Sequence, residues 1–169
     1  MSASPTYLVD TSCLTQAYRQ YYSFDIAPSF WDFLRKSFEN GLLKCNDKVY
    51  DEIQRGGDDL ADWLKTEVNK DAFVDTKSDA ALLEHYGLLM NWANDHPNYN
   101  HIARADFAAY ENADPWIVAT AMEKGLIVIS QEISAPDAKR SIKLPDICKQ
   151  FNIRHIDTFS FLREAGFRM

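Results

Sequence analysis

Short apolar runs alternate with amphipathic stretches along the whole chain, and that alternation sets the first expectation. Tyr7-Leu8-Val9 ends at Asp10 and is followed by Thr11 and Ser12, which favour helix starts, so it predicts a buried strand passing into a helix. Phe30, Phe33, Leu34 and Phe38 recur at helical spacing between Pro28 and Asn40, and Gly41 supplies a stop. Leu42 to Cys45 reads as a second strand and Val49 to Gln54 as a short helix ended by Gly56-Gly57. Asp58 and Asp59 can cap a helix bearing Leu60, Trp63, Leu64 and Val68, before a strand at Ala72-Phe73-Val74.

The second half repeats the pattern. Helices are predicted over 78–95 and 101–111, separated by the turn-rich segment Asp95-His96-Pro97-Asn98-Tyr99-Asn100. Asp114-Pro115 opens a helix with Ile117, Val118, Ala121 and Met122 on its buried face, and Gly125 ends it. Leu126-Ile127-Val128-Ile129 is a continuous apolar run, as expected of an interior parallel strand covered on both faces. A polar loop, a helix near 145–151, a strand at Asn152-Ile153-Arg154-His155 and a helix over 158–165 complete the series. Strands alternating with helices predict a three-layer α/β/α sandwich around a mostly parallel sheet, and 169 residues without a repeat or linker predict a single domain over 1–169.

Composition narrows the function. A net charge of −7 argues against a surface that binds nucleic acid everywhere, but leaves room for a local basic groove or for carboxylates gathered around a cation. Cys13, Cys45 and Cys148 are odd in number and form no CxxC pair, which fits a reducing compartment. The start of the chain lacks a basic segment leading into an apolar one, and no run approaches the roughly 18 apolar residues of a membrane span. The expectation is a cytoplasmic protein without a membrane segment.

Ligands of open parallel sheets gather beyond the carboxyl ends of the strands. Asp10 and Glu132 fall just past such ends, Asp114 lies at a helix start and Glu52 on a helix after the second strand, so the four converge if strands one and four are neighbours. Clustered carboxylates repel one another unless a cation neutralises them, and oxygen ligands suit Mg²⁺ or Mn²⁺. Each acid also has an ordinary reading: Asp10 and Asp114 as helix caps, Glu52 as a solvated helical residue, Glu132 as a loop acid with Asp137 and Asp146 competing for its role. Capping and metal binding are compatible.

The order Leu8-Val9-Asp10-Thr11-Ser12, Val49-Tyr50-Asp51-Glu52-Ile53, Asp114-Pro115-Trp116-Ile117-Val118-Ala119-Thr120-Ala121 and Ile127-Val128-Ile129-Ser130-Gln131-Glu132 resembles the PIN-domain family over nearly the whole chain. Asp10, Glu52 and Asp114 match the family's acids. Glu132 departs from its Thr-x-Asp or Ser-x-Asp pattern. The resemblance, to a diverged toxin branch, implies a Mg²⁺- or Mn²⁺-dependent endoribonuclease of a bacterial toxin–antitoxin pair, dimeric and restrained by a cognate antitoxin, with Ser12 assisting Asp10. The altered fourth position keeps open a second reading, a catalytically impaired PIN-like module that binds RNA or protein.

Phosphate must be held by cations near such a site, and Lys139, Arg140 and Lys143 form the best local cluster, with Arg55 and Lys48 as lesser candidates near Glu52. A solvated loop is the plain alternative for the cluster. His85, His96, His101 and His155 show no zinc-ligand pattern, and no phosphate loop, dinucleotide fingerprint or nucleophile elbow is present. Trp31, Trp63 and Trp92 read as core aromatics, while Trp116, next to Asp114, is the one that could stack a base.

Overall fold

The computed structural model describes residues 4–169; residues 1–3, part of the expected domain span, lie outside the described residues. Five strands form one sheet in the order β3-β2-β1-β4-β5, with β1 Tyr7–Val9, β2 Leu43–Asn46, β3 Phe73–Val74, β4 Ile127–Ile129 and β5 His155–Ile156. Every neighbouring pair is parallel, and Tyr7, Leu8 and Val9 sit opposite Ile127, Val128 and Ile129. Successive strand residues point to opposite faces, yet Tyr7, Leu8 and Val9 are all buried, so both faces of the sheet are covered. Helices supply the covering and make the α/β/α sandwich expected from the alternating pattern.

The helices are α1 Thr11–Gln16, α2 Pro28–Glu39, α3 Asp47–Gly56, α4 Asp59–Glu67, α5 Ala80–Asp95, α6 His101–Ala108, α7 Asp114–Lys124, α8 Leu144–Gln150 and α9 Thr158–Glu164. A π-turn over Ala17–Tyr21 extends α1, a feature the apolar spacing does not announce. Gly125, at φ +67°, ends α7 in the left-handed conformation that glycine adopts without strain, and turns the chain directly into β4. Among the described residues no helix is long and apolar enough to cross a membrane, and all three cysteines are buried free thiols.

Three local expectations are corrected. Ala72 belongs to a 3₁₀ turn, Lys70–Ala72, that leads into β3. The last strand begins at His155 instead of Asn152, because Asn152 lies at φ +57° and the Ile153 N–H returns to the Cys148 carbonyl at 2.8 Å, closing the end of α8. Asp114 is not the cap of α7: Ala113 occupies that position in αR geometry and makes no side-chain cap.

Helix α3, which carries Glu52, is anchored at its start. The buried Asn46 accepts the Val49 N–H on Oδ1 at 2.9 Å and donates from Nδ2 to the Thr120 hydroxyl on α7 at 3.3 Å. Asn46→Ala removes the cap and the bridge between two site-bearing helices, with an expected loss of about 1–2 kcal/mol measured by urea unfolding.

Candidate functional site

The strand order explains why distant acids meet. With β1 between β2 and β4, residues just past the carboxyl ends of these strands share one rim, and the Asp10 N–H donates to the Ile129 carbonyl at 2.9 Å. Asp10 Oδ1 accepts the Thr11 N–H at 2.7 Å, capping α1, and Oδ2 accepts the Ser12 hydroxyl at 2.7 Å. The capping reading of Asp10 therefore holds, and only part of its lone-pair capacity is used. Asp10 is 3% exposed. Burial pushes its carboxyl above the usual range against the pull of the Ser12 hydrogen bond, and the charge of Glu52 pushes the same way as burial.

A hydroxyl network ties this acid to the loop after β4. Ser12 Oγ accepts the Gln131 N–H at 3.0 Å and lies 3.3 Å from Ser130 Oγ, which in turn accepts the Glu132 N–H at 3.0 Å. Glu132 Oε2 accepts the Leu144 N–H at 2.8 Å, one of the free N–H groups opening α8. Burial raises the carboxyl of Glu132, partly offset by that N–H. On the other side, Glu52 Oε2 accepts the Thr11 hydroxyl at 2.8 Å.

Asp114 is the unusual member. It lies half-buried in the first turn of α7 with its N–H on Asn112 Oδ1 at 2.9 Å, and none of the described hydrogen bonds ends on its carboxylate. Its pKa stands well above the ordinary value, first through burial and then through the charges of Asp10, Glu132 and Glu52, with Lys143 opposing. The hydroxyl network from Asp10 to Glu132, the Thr11 link to Glu52 and the cavity that Asp114 and Glu132 share bring the four acids to one rim. Among the described residues, no group of three or more His, Cys, Asp or Glu side chains stands close enough together to hold an ion as it is. The donor chemistry nevertheless fits a hard cation: oxygens only, mutually repelling, with one acid lacking a donor among the described residues.

A cavity of about 200 Å³ opens beside Asp114 and Glu132 and is also lined by Asp106, Asn112, Ser141 and Lys143. A second hollow, of about 250 Å³, lies across the acids beside Thr11, Glu52 and Arg19. Of the expected basic cluster, Lys143 reaches the site, whereas Lys139 and Arg140 sit on the exposed loop outside the cavity lining. Asp146 holds the loop through Ser134 Oγ and the Ala135 N–H, Asp137 is exposed, and of the three it is Glu132 that lines the cavity with Asp114.

Lys48 is buried under the rings of Tyr110 and Trp116, and Arg55 donates to the Glu111 carbonyl at 3.2 Å. Trp116 is stacked on Tyr86 at 4.0 Å and has Lys48 Nζ 4.8 Å from its ring, so it is packed into this cluster. Sequence reading passed over Thr11 and Ser130 as site residues although both lie inside the motifs that carry Asp10 and Glu132. Arg19, set by the π-turn, had no such signal.

A family model described as a domain of unknown function, DUF4411, matches residues 7–169. No curated protein matches the chain. Among solved structures, the chain is similar to VapBC2 from Rickettsia felis, determined with a DNA fragment from its promoter, at 14% identity over 90% of this chain and 98% of that one, with a TM-score of 0.52. It is also similar to FitAcB from Neisseria gonorrhoeae, at 13% identity over 89% of this chain and 96% of that one, with a TM-score of 0.56. At these identities the likeness shows a shared fold, an α/β/α sandwich of PIN-like type.

Proposed function

The chain belongs to the DUF4411 family, and we propose that it is a metal-dependent endoribonuclease, the toxin of a bacterial type II toxin–antitoxin pair. The observation that carries the reading is Asp114: a half-buried carboxyl that lines one cavity with Glu132, on which none of the described hydrogen bonds ends, and whose ionisation burial and the charges of Asp10, Glu132 and Glu52 oppose. Such an arrangement costs folding free energy, which a bound cation offsets. Asp10, Glu52, Asp114 and Glu132 would hold Mg²⁺ or Mn²⁺. The bound ion supplies charge neutralisation at a phosphodiester and acidifies a water.

The protein groups have separable tasks. Ser12 fixes Asp10 Oδ2, and Thr11 fixes Glu52, so the acids are held before substrate arrives. Lys143, beside Asp114 and Glu132, faces the incoming phosphate, while the exposed Lys139 and Arg140 draw the strand from outside. The resemblance to toxin PIN domains makes a cognate antitoxin the expected partner, and we take the active form to be a cytoplasmic homodimer.

The second reading, a catalytically impaired module, is favoured by one observation: the longer Glu132 already spends one oxygen on the Leu144 N–H. The test is incubation of single-stranded RNA with the purified protein in Mg²⁺, Mn²⁺ or chelator, alongside Asp10→Asn. Cleavage that needs the cation and disappears in the variant is expected. Equal cleavage under all conditions would sink the mechanism, and an RNA bound but left intact would establish the second reading.

A further inference from the structure

Tyr110 is 78% exposed, on the loop between α6 and α7, four residues before Asp114. Its exposure is not that of a loose loop tip. The Ala109 N–H donates to the Asp106 carbonyl at 3.2 Å, the Asn112 N–H to the Ala109 carbonyl at 3.0 Å, and Asn112 Nδ2 to the Asp106 carbonyl at 2.9 Å. Arg55, from α3, clamps the adjacent Glu111 carbonyl. The backbone that carries the ring is therefore tied down on both sides, next to Asn112, which lines the cavity with Asp114.

One face of that ring rests on Lys48, whose Nζ lies 4.7 Å from its centroid and 4.8 Å from that of Trp116. Lys48 is only 8% exposed, and none of the described ion pairs includes it. Its ammonium lies against both rings, an arrangement that cation–π attraction favours. Trp116 is in turn stacked on Tyr86, so Tyr86, Trp116, Lys48 and Tyr110 form one contiguous cluster with Tyr110 as its exposed member. Lys48 lies one helical turn before Glu52, and Trp116 two residues after Asp114, so the cluster stands where the two acid-bearing helices meet.

From this placement we infer that the exposed ring of Tyr110 stacks an unpaired nucleobase of the strand whose backbone crosses the acidic site. The inference rests on reading that site as one for RNA and names its substrate as single-stranded at the stacked position. A chain of net charge −7 gains little from overall electrostatic attraction to phosphate, whereas a base stacked on an aromatic ring binds independently of salt and of sequence. Trp116, the aromatic singled out by its position beside Asp114, serves this platform from beneath.

The test uses the full chain and single-stranded oligoribonucleotides carrying 2-aminopurine at successive positions, titrated in chelator so that no cleavage is required. Wild type is expected to quench the fluorescence strongly at one position. Tyr110→Ala should lose that quench and bind roughly tenfold more weakly with the same salt dependence, while Tyr110→Phe stays within about twofold of wild type. Under cleaving conditions Tyr110→Ala should raise KM by the same factor and leave kcat within about twofold.

A melting temperature within a few degrees of wild type separates this from unfolding, since the exposed side chain gives up only its contact with Lys48. Retained quench and affinity in Tyr110→Ala, or Phe failing as Ala does, overturns the inference. RNA bound with the quench but never cut leaves the platform standing and removes the nuclease, whereas cutting at unchanged KM by Tyr110→Ala does the reverse.

Discussion

Asp114→Asn is expected to lower metal-dependent RNA cleavage by at least about a hundredfold while raising the melting temperature of the metal-free protein. The first effect follows from removing a charged oxygen ligand from a site where charge develops in a water-poor surrounding. The second follows from the cost that the native residue imposes: burial and the charges of Asp10, Glu132 and Glu52 all oppose its ionisation, and only Lys143 favours it. Asn has nearly the same shape and relieves that repulsion, at about 2–4 °C for each kcal/mol in a chain of this size. Single-turnover cleavage and thermal unfolding in chelator read the two effects separately. Activity and stability lost together would mark Asp114 as a structural residue instead.

This opposition of signs was not legible from Asp-Pro alone, because that pair reads equally as a helix cap and as a ligand position. What the structure adds is that Ala113 precedes the helix and Asp114 lies inside its first turn, so Asp114 is not the cap. Asp10 shows the converse. Its apolar run and its following Thr and Ser predict both the strand and the cap, and the structure has both, with Ser12 on the second oxygen.

The sheet was readable because consecutive buried residues such as Tyr7-Leu8-Val9 and Ile127-Val128-Ile129 leave no polar face. Its fifth strand was displaced because a left-handed Asn152 extends the end of α8, a choice that a short polar sequence does not announce. Long-range pairings were the least legible. Nothing near Trp116 in the chain reveals that Tyr86 covers it, and the basic trio gives no hint that only Lys143, just before α8, reaches the cavity. Local chemistry named the acids, and tertiary pairing decided which cations and aromatics join them.

The same electrostatics gives a pH signature. In chelator, the stability of wild type relative to Asp114→Asn is expected to fall as pH rises above the ordinary carboxyl range. Folding raises the carboxyls of Asp114, Asp10 and Glu132, so above the unfolded value the native protein holds protons that the unfolded chain has released. Stability must then decline with pH until the folded groups also ionise, by up to about 1.4 kcal/mol per unit for each group still holding its proton. His155 works in the opposite direction up to about its ordinary value of 6.5, since burial favours its neutral form, but it is common to both proteins and cancels in the comparison.

The depressed carboxyls Asp32, Asp157 and Glu164 act only at lower pH. Saturating Mg²⁺ should reverse the trend in wild type alone, because cation and protons compete for the same oxygens. At a hundred times its dissociation constant the ion stabilises by about 2.7 kcal/mol, and that gain should grow from pH 5.5 to 8. Parallel pH curves for wild type and Asp114→Asn, or a Mg²⁺ effect independent of pH, would show that these carboxylates are not where the ion binds.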